Sequence, residues 1–210
     1  MAQFFVFGNS IAWGCWDERG GWAERIRAAL NREARRRTSF YAELYNLSVT
    51  GDTVVDIASR MERETRARRS EDAEHVVGVL AAGLNDAQVL YGSGEPLVME
   101  QEFRNRLDDL YSTASGLFDD VLVVGLTPVD EDRVHPIPWK EECAYTRERR
   151  ELFDTIVEEK TDDYGLRYVD PLGGTSIASF RSMLEDGVHP DEDGHVIVLQ
   201  QVLPVVRELL

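Results

Sequence analysis

Lysine is almost missing from this chain. Of its 210 residues only Lys140 and Lys160 are lysine, and the rest of the 23 Lys and Arg residues are arginine. Against 39 Asp and Glu this leaves a net charge of −16. That balance argues against a nucleic-acid partner or an anionic membrane surface, since both call for a basic face. An acidic, lysine-poor surface suits concentrated salt, where self-repulsion is screened. An arginine-leaning composition without salt adaptation accounts for the same counts. Cysteine is as scarce: Cys15 and Cys143 are too few for a disulfide framework and lack the spacing of a zinc site. They read as free thiols of a reducing compartment. No apolar run reaches the roughly 18 residues of a membrane span, and no basic, apolar and small-residue leader precedes the first strand. A cytoplasmic protein without a membrane span is expected. Repeats, low-complexity runs and linkers are absent too, so residues 1–210 are expected to form one domain.

What is present is a regular alternation of two periods. Phe4-Phe5-Val6-Phe7 is a short apolar run of the kind buried on both faces of a sheet. Trp22 to about Arg37 carries Trp22, Ile26, Ala29 and Leu30 at helical spacing. The pattern predicts further strands at Phe40–Leu47, His75–Ala82, Asp120–Leu126 and Leu166–Val169. Helices are predicted from Asp52 or Thr53 to about Arg69, Val98 to about Ser115, Ala144 to Asp163 and Asp191 to Leu209, with one or two helical turns in Ser176–Met183. Pro204 is expected to kink the last helix. Ala87–Pro96 and the proline-rich Thr127–Glu142 read as loops, the first a candidate lid. Strand and helix alternate throughout, which predicts an α/β fold: a flavodoxin-like, doubly wound, parallel five-stranded sheet between two helical layers.

The chemistry gathers where strands end. Gly8-Asn9-Ser10, Thr50-Gly51-Asp52-Thr53 and Gly83-Leu84-Asn85-Asp86 follow strands one, two and three. In a parallel sheet those ends share one edge, so Ser10, Gly51 and Asn85 can converge there. Acyl transfer needs a hydroxyl nucleophile, a base, a group that orients the base, and donors for an oxyanion. Ser10 offers the first. His189, in Asp186-Gly187-Val188-His189-Pro190, offers the second, and Asp186 lies three residues away, within reach of its Nδ1–H. The backbone N–H groups of Ser10 and Gly51 and the side-chain amide of Asn85 offer three donors. Each stretch also has a plainer reading. Ser10 can cap a helical turn, and residues 186–190 can be a surface turn before a helix. Asp170 rivals Asp186 as the histidine's partner. Trp13, Tyr91, Trp139 and His135 are candidate substrate contacts, with Trp16 in the same aromatic set. His75 and His195 read as structural. No metal or cofactor is called for.

These blocks resemble the SGNH hydrolases, or GDSL esterase/lipase family, whose four blocks contribute Ser, Gly, Asn and His. Gly8-Asn9-Ser10 matches the nucleophile block, with Asn9 where that family usually has Asp. Asn46 through Thr53 is similar to the glycine block, Gly83-Leu84-Asn85-Asp86 to GxND, and Asp186–Pro190 to DxxHP. Gly20-Gly21-Trp22 is also typical of the first helix. The resemblance spans residue 4 to about 200. It implies the SGNH fold and a serine esterase acting on a small-molecule ester, with Ser10, His189 and Asp186 catalytic and Ser10, Gly51 and Asn85 as the oxyanion hole. A G-x-S-x-G elbow fits less well, because Ala12 holds its last position and Ser10 follows the first strand. A ligand-binding module without turnover is the alternative from another class. A nucleotide binder lacks its G-x-G-x-x-G or Walker pattern. Acyl length, ester against thioester, acetylated sugars and oligomeric state stay open.

Overall fold

The apolar run that opens the chain is a strand with every residue buried, β1 (Ala2–Gly8). In the computed structural model, which describes residues 1–37 and 40–210, there follow α1 (Ser10–Trp13), α2 (Gly21–Ala34), β2 (Ala42–Asn46), α3 (Val54–Arg68) and β3 (His75–Ala81). Then come β4 (Val89–Leu90), α4 (Glu100–Leu117), β5 (Asp120–Val124), β6 (Cys143–Ala144), α5 (Arg147–Asp163), β7 (Arg167–Val169), α6 (Ile177–Arg181) and α7 (Glu192–Glu208). Five strands form one parallel sheet in the order β2-β1-β3-β5-β7.

The period of two explains why these strands are apolar throughout. Successive side chains point to opposite faces, and both faces are covered. On one face Phe5 and Phe7 of β1, Val76 and Leu80 of β3, and Val121 and Val123 of β5 pack with α3, α4 and α5. On the other, Phe4 and Val6, Val77 and Val79, and Leu122 and Val124 pack with α2 and α7. Trp22 and Ile26 of α2 and Val198 and Val202 of α7 supply much of that second core. The result is a three-layer α/β/α sandwich.

Strand order reverses between β1 and β3. β1 pairs with β2 on one side and with β3 on the other, and Gly8 stands opposite Ala81 at their carboxyl ends. Chains leaving the two strands diverge there, which opens the crevice that doubly wound sheets use for ligands. Ser10 lies two residues beyond Gly8, and Asn85 four beyond Ala81.

Several local expectations change. The 87–96 segment is not a free loop. β4 pairs antiparallel with β6, Val89 with Ala144 and Leu90 with Cys143, so the two long loops at this edge are joined. Their pairing takes Ala144 out of α5, which starts at Arg147 with the Thr146 side chain accepting from the Arg149 N–H. Two residues per strand carry too little period-two pattern to be read from sequence. Ser10 opens a four-residue helix instead of standing in a bare turn. No helix among the described residues is long and apolar enough to cross a membrane.

Candidate active site

The turn from β1 into α1 is tight, and its residues are small for that reason. A Cβ on Gly8 would lie 2.6 Å from the Ala12 Cβ and 2.9 Å from the Ala81 carbonyl oxygen. Asn9 caps α1, its Oδ1 accepting from the Ile11 N–H at 3.0 Å. That bond gives Asn9 a structural role. Ser10 is therefore the first residue of a helix, where backbone N–H groups have no acceptor within the helix. Cys15 follows within one turn. Burial, and then the Asp186 carboxylate, push its thiol up from the ordinary range.

Residues 186–189 fold on the Asp186 carboxylate. Its Oδ1 accepts from the backbone N–H groups of Val188 (3.0 Å) and His189 (2.9 Å). Its Oδ2 lies 2.7 Å from His189 Nδ1 and also accepts from Trp16 Nε1 at 2.7 Å. Burial alone would raise this carboxyl, but the donors from His189 and Trp16 outweigh it and hold Asp186 well below the usual carboxylate range. An ionised carboxylate only accepts, so the imidazole proton sits on Nδ1 and leaves Nε2 bare. Nε2 is 2.8 Å from Ser10 Oγ, whose hydroxyl can donate to it. Residues 179 positions apart thus form one line: hydroxyl, imidazole, carboxylate.

The other loops close on the same edge. The Val49 N–H donates to the Gly8 carbonyl at 3.0 Å, and Asn46 Nδ2 to the Ala12 carbonyl at 3.0 Å. Gly51 sits in the next turn, exposed, at φ +86°. Asn85 Nδ2 donates to the Asp52 carbonyl at 2.9 Å and has a second N–H to offer. Its Oδ1 accepts from Tyr145 Oη at 2.8 Å. Gln88 Nε2 donates to Tyr145 Oη at 2.7 Å, and Lys140 Nζ to Gln88 Oε1 at 2.7 Å. Asp86, fully buried, accepts from the Val54 N–H at 3.0 Å and from Arg106 at 3.1 Å. Burial pushes its carboxyl up to about 6 against those donors.

Beside the imidazole lies an open cleft of about 740 Å³ lined by Trp16, Arg133, Pro138, Trp139, Glu185 and Asp186. The Trp139 ring stands 5.7 Å from the His189 ring, tilted by 35°, and Trp16 meets His189 edge-on at 6.1 Å. Of the aromatic residues expected near substrate, Trp139 lines this cleft. Trp13, Tyr91 and His135 do not, although Tyr91 and His135 pack edge-to-face at 5.4 Å. Asp170 bonds locally to the Leu172 N–H and does not reach His189. His75 pairs with Asp120 at the opposite end of β3, and His195 is buried on α7. The indole bond to Asp186 and the Gln88–Tyr145 support of Asn85 carry no spacing signal in the sequence. Both are visible only once the loops meet.

A parallel sheet with a serine at its switch point hydrogen-bonded to a histidine from a later turn is an arrangement that can carry acyl transfer. The chain belongs to the GDSL-like lipase/acylhydrolase family, whose model matches residues 6–197. Similar solved structures include the lipase/acylhydrolase from Enterococcus faecalis, with 18% identity, TM-score 0.72, and 99% of this chain and 96% of that one covered. A member of the lipolytic G-D-S-L family from Veillonella parvula covers 99% of both chains at 16% identity, TM-score 0.72. An acetyl xylan esterase from Geobacillus stearothermophilus shows 16% identity and TM-score 0.70 over 99% of this chain and 94% of that one. A search of curated proteins gives no match.

Proposed function

We propose that this chain hydrolyses short-acyl esters of small soluble alcohols through a Ser10–His189–Asp186 triad and an acyl-enzyme. The support is one distance above all, 2.8 Å between Ser10 Oγ and His189 Nε2. His189 takes the Ser10 proton as Oγ attacks the ester carbonyl, and Asp186 stabilises the imidazolium that forms. The negative charge moves to the carbonyl oxygen, which the Ser10 and Gly51 N–H groups and the free N–H of Asn85 receive. The C–O bond to the alcohol breaks, and His189 returns its proton to the departing oxygen. Water then attacks the acyl-enzyme by the same path, giving the acid and free Ser10. The open, aromatic-walled cleft, in place of a deep apolar tunnel, favours small soluble esters over long-chain lipids. Two unpaired thiols, Cys15 and Cys143, suit a reducing compartment such as the cytoplasm.

The test is hydrolysis of p-nitrophenyl acetate, butyrate and longer esters by the wild type and by Ser10→Ala. The variant should lose about 10⁴-fold or more in kcat, and a fluorophosphonate probe should label the wild type alone. Equal rates for both proteins would remove Ser10 from the mechanism. A labelled wild type with no hydrolysis of any chain length would point to a different acyl donor.

A further inference from the structure

Trp16 is the one non-glycine residue in the left-handed region among the described residues, at φ 66°. A bulky side chain there is uncommon and signals strain that its surroundings sustain. Packing does not account for it, because the residue is 64% exposed. The turn around it is close-packed: Gly14, at φ +96°, lies so near Gly20 that a Cβ would stand 2.2 Å from the Gly20 carbonyl carbon. That pinned turn delivers an indole to two places at once. Its Nε1 donates to Asp186 Oδ2, the oxygen that faces His189 Nδ1. Its ring borders the cleft and meets the imidazole edge-on.

The side of the cleft matters chemically. A leaving alcohol must receive its proton from His189, so it departs on the imidazole side, and there the cleft opens between Trp16 and Trp139. We infer that Trp16 is a positioning residue for Asp186 and also the wall against which a ring-bearing alcohol packs, so that one indole couples leaving-group binding to triad alignment. The inference rests on the acyl transfer proposed above. The coupling has a direction. Oδ2 shares its charge between two donors; removing the indole N–H leaves that charge to His189 alone and favours the imidazolium. The acid limb of the pH profile then moves to higher pH. Other titratable and charged groups lie around the pair: Arg133 and Glu185 on the cleft rim, the Cys15 thiol, the buried Tyr145 hydroxyl, and Asp17, Glu18, Asp191, Glu192 and Asp193, which line a second crevice with Trp16.

Two substitutions separate the roles. Trp16→Phe keeps an aromatic face and loses the N–H; Trp16→Ala loses both. Each is assayed with phenyl acetate and ethyl acetate, which share the acyl group and differ in the alcohol, with active sites counted by fluorophosphonate titration. Trp16→Phe should lower kcat/KM by about five- to tenfold on both esters and move the acid limb up by about half a pH unit. Trp16→Ala should in addition cut the phenyl-to-ethyl ratio of kcat/KM by about tenfold, the loss of one aromatic contact. A folding defect alone changes the active-site count and moves neither the limb nor the ratio. An unmoved limb in Trp16→Phe overturns the positioning role, and an unchanged ratio in Trp16→Ala overturns the wall. If Ser10→Ala hydrolyses both esters at the wild-type rate, the triad reading fails first, a result distinct from either.

Discussion

Tyr145 donates its hydroxyl proton to Asn85 Oδ1 at 2.8 Å, and this bond decides which end of the Asn85 amide is which. With Oδ1 committed, both N–H groups lie at the other end, one on the Asp52 carbonyl and one free. The donors behind it run in a single direction, Lys140 to Gln88 to Tyr145, so a cation backs the amide through successive hydrogen bonds. Tyr145→Phe removes the hydroxyl and frees the amide to turn. Its kcat should fall by about tenfold, while Asn85→Ala, which removes the donor itself, should cost about 10²–10³. Steady-state kinetics on p-nitrophenyl acetate measures both, and a wild-type kcat for Tyr145→Phe would show that Asn85 holds its orientation alone.

Asp186→Asn keeps the volume and exchanges an acceptor for an amide. The His189 tautomer then reverses, Nε2 carries the proton, and Ser10 has no base. A loss of about 10³–10⁴ in kcat is expected with little change in secondary structure. Circular dichroism beside the kinetics checks this; a loss under tenfold would mean that another group orients the ring.

Two carboxyls, the half-buried Asp186 and the buried Asp86, should drive stability in opposite directions with pH. Asp186 is held low, so its contribution is present above the ordinary carboxyl range and is lost as pH falls through its folded value. Asp86 is held up, at about 6. Between the unfolded value of about 3.9 and its folded one, the native state keeps a proton that the unfolded chain has released. The stabilisation from Asp86 is therefore complete below that window and shrinks as pH rises through it. Asp86→Asn should flatten the decline in unfolding free energy across this window in urea titrations at successive pH values. Parallel slopes for the variant and the wild type would remove Asp86 as their source.

Gly14→Ala tests the turn that carries the indole. The new methyl would meet the Gly20 backbone, and the position is left-handed. A destabilisation of about 2–4 kcal/mol is expected, with activity per folded molecule also reduced because Trp16 shifts. Urea unfolding and active-site titration separate the two effects; unchanged stability would mean that the turn relaxes freely.

The sandwich was readable because its strands are buried on both sides, and an unbroken Phe-Phe-Val-Phe run has few other places to go. The meeting of Ser10 with His189 was legible in part, because Ser10 follows the first strand and Asp186 and His189 stand three residues apart in one turn. The β4–β6 pairing was not, since Val89–Leu90 has no period to detect. Neither was the indole bond to Asp186: it spans 170 residues and depends on how the turn between α1 and α2 bends. Of the aromatic and titratable candidates in these loops, Trp16 and Trp139 line the cleft, whereas Trp13, Tyr91 and His135 do not. Which ring faces inward is set by turn geometry that composition does not record.

The small antiparallel pairing between Val89–Leu90 and Cys143–Ala144 makes the two long segments at this edge a single mechanical piece. Lys140 reaches across the same seam to Gln88, so a change in one segment is felt by the other and, through Tyr145, by Asn85. Exchanging one segment for a relative's would sever that seam. New ester preferences should therefore be transplanted by moving residues 87–97 and 127–146 together.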